Sequence, residues 1–316
     1  MPEAVPPRRA QPAVILVATD LADLERLMPY ALDQAFRTSA HLILLHALEA
    51  SVTLSIDEQG TPLYDPTLAI AQAEKALQPW CGVATARGVV CDAVVRDGAA
   101  ARQIADAARQ FRADRILIGT RNRMRKGKSP LGSVAEQVLR SVNLPVITVG
   151  PEAHLKAEAD DQPPIVLHAT TLRETSRPSA ALACELASRT HTQLVLMHVL
   201  PAIEGTPGQG EPAMLDEPVR EQLRQLAIET ASGCCLDTET LVVHGNPCIE
   251  ILAAASQLKA GMIVLGLEPH TVFDRLTRDR TIYQVIAHAR CPVLILREDP
   301  PAWSESCLLE TTASRS

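Results

Sequence analysis

ILIGTRNRMRKGKSPLGSVAEQVLRSVNLPVITVG, residues 116 to 150, decides how the chain is read. An apolar run ends at Gly119, a basic loop follows, a helix opens at Gly132-Ser133, and a second apolar run closes the stretch from Pro145 to Val149. Strand, loop, helix and strand in this order belong to an α/β sheet with parallel strands. Between Gly119 and Gly132 the loop carries Arg121, Arg123, Arg125, Lys126 and Lys128 and no acid. A helix start presents unpaired N–H groups and the positive end of the macrodipole, so cations beside a Gly-Ser entry make a phosphate cradle. Gly132 lets a phosphate approach the backbone, and the Ser133 hydroxyl can cap the helix or bond a phosphate oxygen. The same features also describe an ordinary strand-to-helix loop with a solvated charge run. This segment alone leaves both readings open.

Outward from this stretch, the pattern repeats. Strands are expected over residues 13–19, 41–47, 89–95, 115–119 and 145–149. Helices are expected from about Leu24 to Arg37, Thr67 to Ala86, Ala99 to Phe111, and from Gly132. The apolar runs are continuous rather than alternating, as in strands covered on both faces. The same order then recurs, with strands expected over 165–170, 193–199, 240–244, 262–266 and 292–296. Ala18-Thr19-Asp20 matches Ala169-Thr170-Thr171, and Leu45-His46-Ala47 matches Met197-His198-Val199. Gly98 matches Gly245, Gly119 matches Gly266, and Leu144-Pro145-Val146 matches Cys291-Pro292-Val293, the last three at one constant offset. The chain is therefore a duplicated α/β domain. Its divisions are expected at 1–11 (flexible tail), 12–150 (first domain), 151–164 (linker), 165–297 (second domain) and 298–316 (flexible tail). Each domain ends on a fully apolar strand, PVITV and PVLIL. Pairing these two with each other, an intramolecular pseudo-dimer, is one way to cover two sticky edges.

Composition narrows the function classes. Of 316 residues, 47% are apolar but only three Phe, three Tyr and two Trp occur, so the cores are built from Ala, Leu, Val and Ile. Few aromatics, a net charge of −7 and a pI near 5.7 argue against a general nucleic-acid partner. The N-terminal run MPEAVPPRRAQP has Pro and charge where a signal peptide needs an apolar core, and no run approaches a membrane span, so the cytoplasm is expected. Eight cysteines without a C-x-x-C pair form neither a disulfide nor a zinc pattern. Cys91 and Cys291 read as buried thiols, and the vicinal Cys234-Cys235 reads as a small-residue pair near a helix end or a redox-active one. His168, His198 and His244 fall near strand ends and raise a metal site. Hydrogen-bonded structural histidines are the commoner case, and His46 recurs at the place of His198. There is no G-x-S-x-G elbow, no G-x4-G-K-S/T loop and no G-x-G-x2-G after a strand, hence no catalytic constellation.

Taken together, the strand ending Val17-Ala18-Thr19-Asp20, the Leu45-His46-Ala47 segment, Ala113-Asp114-Arg115-Ile116-Leu117-Ile118-Gly119 and Gly132-Ser133-Val134-Ala135-Glu136 resemble a tandem universal stress protein. The resemblance covers nearly all of residues 12–297, more strongly in the first domain. It implies two doubly wound domains, each a five-stranded parallel sheet with helices on both faces, of the adenine nucleotide alpha hydrolase-like type. Family members often dimerise through the last strand, so a homodimer is implied as well. They fall into ATP-binding and non-binding groups, and the binding group carries Gly-x2-Gly-x9-Gly-Ser/Thr. Here the first domain reads Gly119-x2-Asn122-x9-Gly132-Ser133, with the spacing intact and one glycine replaced by Asn, the residue that most readily enters left-handed backbone after glycine. By position the resemblance places the phosphates of ATP on Gly119, Asn122, Gly132 and Ser133, with Val134 and Ala135 nearby. It places Thr19, Asp20 and Ala47 around the nucleoside, Asp20 serving the ribose or a nucleotide-bound Mg²⁺. Asp20 also fits the plainer role of N-cap to the following helix. The second domain has Pro269, Asp279 and Arg280 at the matching positions, with Thr171 in place of Asp20 and with Glu268 and Asp274 in its loop; no nucleotide is expected there. The implied function is an ATP-binding stress-response regulator with unknown protein partners. The alternatives are a nucleotide-free protein-binding adaptor and, more remotely, a slow ATPase or nucleotidyl transferase.

Overall fold

The computed structural model describes residues 13–49, 66–120, 131–154, 165–202, 213–231, 237–267 and 278–298. The chain forms two compact units, one ending at Ile118 and the other beginning at Gly119.

In the first unit β1 (Val14–Thr19), β2 (His41–Leu48), β3 (Cys91–Asp97) and β4 (Arg115–Gly119, whose last residue is counted with the second unit) alternate with α1 (Leu24–Thr38), α2 (Pro66–Ala86) and α3 (Ala100–Gln110). The strand order is β3-β2-β1-β4 and every ladder is parallel, with Val17 opposite Leu44 on one side and Leu117 on the other. Ile15, Leu16 and Val17 are all fully buried, so β1 is covered on both faces, as its unbroken apolar run requires. The amphipathic pattern of α1 buries Leu24, Leu27, Met28, Ala31, Leu32 and Ala35 and leaves Phe36 in solvent.

The second unit contains α4 (Ser133–Ser141), β5 (Val146–Val149), β6 (Ile165–Ala169), a short 3-10 turn at Glu174–Ser176 and α5 (Arg177–Thr190). It continues with β7 (Leu194–Leu200), α6 (Ala213–Ala231), β8 (Thr238–His244), α7 (Pro247–Gln257), β9 (Ala260–Leu267), α8 (Arg278–His288) and β10 (Val293–Arg297). Its order, β5-β10-β9-β6-β7-β8, repeats the first unit's scheme in β8-β7-β6-β9. These ladders are parallel except β5 on β10, which is antiparallel, with Thr148 opposite Val293 and Val146 opposite Ile295. The two closing apolar strands thus pair with each other, and the Thr148 hydroxyl donates to the Val293 carbonyl at 3.0 Å. This ladder counts α4 and β5 with the second unit, although in sequence they close the first repeat.

Candidate functional site

Thr19, Asp20, Ala47 and Gly119 lie at or beside the C-terminal ends of strands, where ligands of open α/β sheets bind, and Gly132 to Ala135 open α4. Thr19, Asp20 and Ala47 belong to the first unit. Past Thr19 the chain makes a tight turn with Leu21 at φ 72°. Asp20 Oδ1 accepts the backbone N–H groups of Ala22 and Asp23 at 3.0 and 3.1 Å, an Asx-type turn. The N-cap of α1 is Asp23, not Asp20. The Thr19 hydroxyl donates to Asp23 Oδ1 at 2.5 Å and accepts from Leu21 N–H at 2.9 Å. Burial holds the Asp23 carboxyl above its ordinary value, with the Thr19 hydroxyl, Arg26 and His46 pulling the other way.

On β2, His46 stands opposite Thr19 and its Nδ1 donates to the Thr19 carbonyl at 2.9 Å. Since only a protonated Nδ1 can donate to a carbonyl, this bond fixes the tautomer. It fastens the end of β1 to the end of β2, and the half-buried Ala47 follows directly.

Gly119, Gly132, Ser133, Val134 and Ala135 belong to the second unit; Asn122 and the basic residues 121–128 lie outside the described residues. Gly119 ends β4 half-buried. Thr120 is 1% exposed; its N–H donates to the Val149 carbonyl at 3.0 Å, while its hydroxyl has no hydrogen-bond partner among the described residues. Gly132 is the N-cap of α4, at φ 87° and ψ 148°, and an added Cβ would meet nothing within 4 Å. Among the described residues no side chain caps this helix, and its first intrahelical bond runs from Glu136 N–H to the Gly132 carbonyl. Ser133 is therefore the exposed first helical residue and not the cap. The N–H groups of Ser133, Val134 and Ala135 precede that bond and are the helix's orphan donors. An uncapped helix start behind a residue without a side chain can take an anion. A Mg²⁺ ion at Asp20 would share a carboxylate whose Oδ1 already accepts two N–H groups.

The second repeat rebuilds part of the first. The His198 Nδ1 donates to the Thr170 carbonyl at 2.8 Å, as His46 does to Thr19, and Leu172 N–H donates to the Thr170 hydroxyl at 3.0 Å. Thr171, at the place of Asp20, bonds Ser176 Oγ at 2.8 Å. Above Gly266, the counterpart of Gly119, stands a residue that sequence reasoning assigned to the loose tail. Glu298 is 2% exposed, and its N–H extends the sheet by donating to the Leu267 carbonyl at 2.8 Å. Its carboxylate accepts from the Ser179 hydroxyl and, at 3.5 Å, from the Ser176 hydroxyl. It lies so close to Gly266 that an added Cβ would be 1.8 Å from Oε1. A carboxylate thus fills this strand end from within the chain. Glu268, Pro269 and Asp274 lie outside the described residues, as do the side chains of Asp279 and Arg280 at the start of α8.

The three strand-end histidines of the second repeat go to separate partners. His168 Nδ1 donates to the Val264 carbonyl at 3.0 Å, His198 to Thr170 as above, and His244 Nε2 lies 3.1 Å from Asp216 Oδ1. No metal-holding group of His, Cys, Asp or Glu occurs among the described residues. A crevice of about 310 Å³ lined by Glu152, His288, Arg290 and Cys291 contains none of the candidate residues. Cys234 and Cys235 lie outside the described residues. Among those described, no helix is long and apolar enough to cross a membrane.

Fold and strand-end chemistry together define a tandem doubly wound α/β protein whose halves repeat one threonine–histidine clasp. The chain belongs to the universal stress protein family, whose model matches residues 13–150 and again 164–297. A universal stress protein from Archaeoglobus fulgidus DSM 4304 has a similar structure, with a TM-score of 0.67 at 20% identity over 92% of this chain and 100% of that one. A functionally unknown protein from Pseudomonas aeruginosa PAO1 gives a TM-score of 0.58 at 16% identity over 91% and 93% of the two chains. At these identities the likeness is one of fold. A universal stress protein of Methanocaldococcus jannaschii is 25% identical over 136 residues, 43% of this chain and 80% of that one.

Proposed function

We propose that this universal stress protein is a cytoplasmic stress-response regulator that binds ATP through its first domain, residues 12–150, and leaves its second, residues 165–297, without nucleotide. The observation that carries the reading is the start of α4: among the described residues nothing stands within 4 Å of where a Gly132 side chain would be, and none caps the helix behind it. The N–H groups of Ser133, Val134 and Ala135 take the phosphates together with Gly119, Asn122 and the basic loop. Thr19, Asp20 and Ala47 take the nucleoside, with Asp20 turned to the ribose or a nucleotide-bound Mg²⁺. The one carboxylate in this set, Asp20, already accepts two backbone N–H groups, so binding rather than turnover is the expected activity. Occupancy alters the surface offered to a protein partner, by as much as the two states differ in affinity.

A second reading, a nucleotide-free adaptor, draws on Asn122, the one departure from the family's binding spacing. Calorimetric titration with ATP of the wild type and Gly132→Asp, both checked for a folded circular dichroism spectrum, separates the two. The wild type is expected to bind one nucleotide per chain and the variant, with a carboxylate at the anion site, none. Absence of heat from the wild type at millimolar ATP overturns the nucleotide reading.

A further inference from the structure

A different part of the first unit holds two sulfurs in contact. Cys81 lies on α2 with its side chain against the sheet, 9% exposed, and Cys91 is the half-buried first residue of β3. The turn between them is closed by Gly88 N–H on the Thr85 carbonyl at 2.9 Å and Val89 N–H on the Ala84 carbonyl at 3.0 Å. That turn folds β3 back along α2 and brings the Cys91 thiol to 3.4 Å from Cys81 Sγ, as donor to acceptor. Both cysteines are free. A disulfide needs about 2.05 Å between sulfurs, so closing the bond takes a displacement of roughly 1.4 Å, within reach of small side-chain rotations. Among the described residues of its unit β3 has a single ladder partner, β2, so the pair stands where an edge strand meets its covering helix.

We propose that Cys81 and Cys91 are a redox pair that closes an intramolecular disulfide on oxidation by hydrogen peroxide and reopens with a thiol reductant. One thiolate attacks a peroxide oxygen; the O–O bond breaks, a sulfenic acid forms and hydroxide leaves, taking up a proton as water. The second sulfur then attacks the sulfenic sulfur; the S–O bond breaks, the S–S bond forms, and the hydroxyl leaves with the second thiol's proton as another water. Two thiols are oxidised, one peroxide is reduced, and two waters are made. Burial pushes both thiols up from their usual range, Cys81 less strongly because the Cys91 S–H donates to it. Cys81 is accordingly the sulfur that ionises first, and Cys91 resolves the sulfenic acid. The thiolate fraction, and with it the rate, rises about tenfold per pH unit below the thiol pKa, so closure at neutral pH is slow and answers sustained oxidant.

The test treats the full chain with hydrogen peroxide, alkylates the remaining thiols and maps the peptides by mass. A linked peptide joining Cys81 to Cys91, lighter by two hydrogens and restored by dithiothreitol, is expected. Its yield should rise with pH, and it should be missing from Cys81→Ala and Cys91→Ser. The oxidised wild type should also melt at a higher temperature than the reduced form, because the crosslink constrains the unfolded chain. The wild-type map decides the matter even if a variant fails to fold. Both cysteines remaining alkylatable in the folded protein, or becoming sulfinic acids or pairing with other cysteines, overturns the proposal.

Discussion

His168→Asn should remove most of one term in the acid sensitivity of the second unit. His168 lies on β6 with no solvent exposure, its Nδ1 bonded to Val264 at 3.0 Å and its Nε2 without a hydrogen-bond partner among the described residues. Charging this ring would place an unsolvated N–H beside apolar strands, and burial lowers the pKa from 6.5 to about 4. Between those values the unfolded chain binds a proton that the folded one does not, so stability rises with pH across the window. The contribution is therefore fully present above pH 6.5, falls with the pH at up to about 1.4 kcal/mol per unit, and levels off near pH 4, for a total of about 3 kcal/mol. Asn keeps an N–H donor near the place of Nδ1 but cannot titrate. Urea unfolding of both proteins at pH values spanning the window measures the difference. Near neutrality the variant should be somewhat less stable, from imperfect packing; towards pH 4 the difference should move in its favour by about 3 kcal/mol. Other carboxylates protonate in the same range, but they do so in both proteins and cancel. Parallel stability curves, or a His168 resonance that titrates near 6.5 in the folded state, would refute the account.

Two further outcomes rest on glycines. Gly132→Ala meets no steric obstacle, so its cost is the backbone strain of φ 87° and ψ 148°, about 1–3 kcal/mol, read as a lower urea midpoint with an unchanged slope; an unchanged midpoint contradicts it. Gly266→Ala should cost about 2–4 kcal/mol by driving the Glu298 carboxylate off Ser179 and Ser176, and nearly nothing once Glu298→Ala has removed that carboxylate. Additive effects in this double-mutant cycle would mean that Glu298 is not what fills the space above Gly266.

The strands were legible because each is a continuous apolar run bounded by turn residues, and Ile15, Leu16 and Val17 are buried as such a run demands. Their ends were less so, for reasons the hydrogen bonds supply. Val89 and Val90 look like the start of β3, yet Val89 N–H closes the end of α2 and Val90 is 65% exposed, so the strand begins at Cys91. At β8 the error runs the other way: Thr238 and Glu239 are polar but lie on the terminal strand of their sheet, where one side carries no ladder and apolar patterning weakens. In the candidate site, Asp20 was visible as a carboxylate at a strand end. The cap was not, because Leu21 at φ 72° turns the chain so that Asp23, three residues on, meets Thr19.

Glu298 shows a limit of a different kind. Matching the two repeats position by position compares Asp20 with Thr171 and Gly119 with Gly266, and it accounts for a site through the residues that line it. It cannot register an occupant from beyond the last matched strand. Glu298 reaches its place because β10 continues one residue past its apolar run, its N–H still on the β9 ladder at Leu267, which carries the side chain back over Gly266. The missing Cβ that would let a phosphate approach the backbone in one repeat admits the chain's own carboxylate in the other. A glycine at a strand end therefore marks room for an anionic group, and the surrounding chain decides whether that group is a ligand or a neighbour.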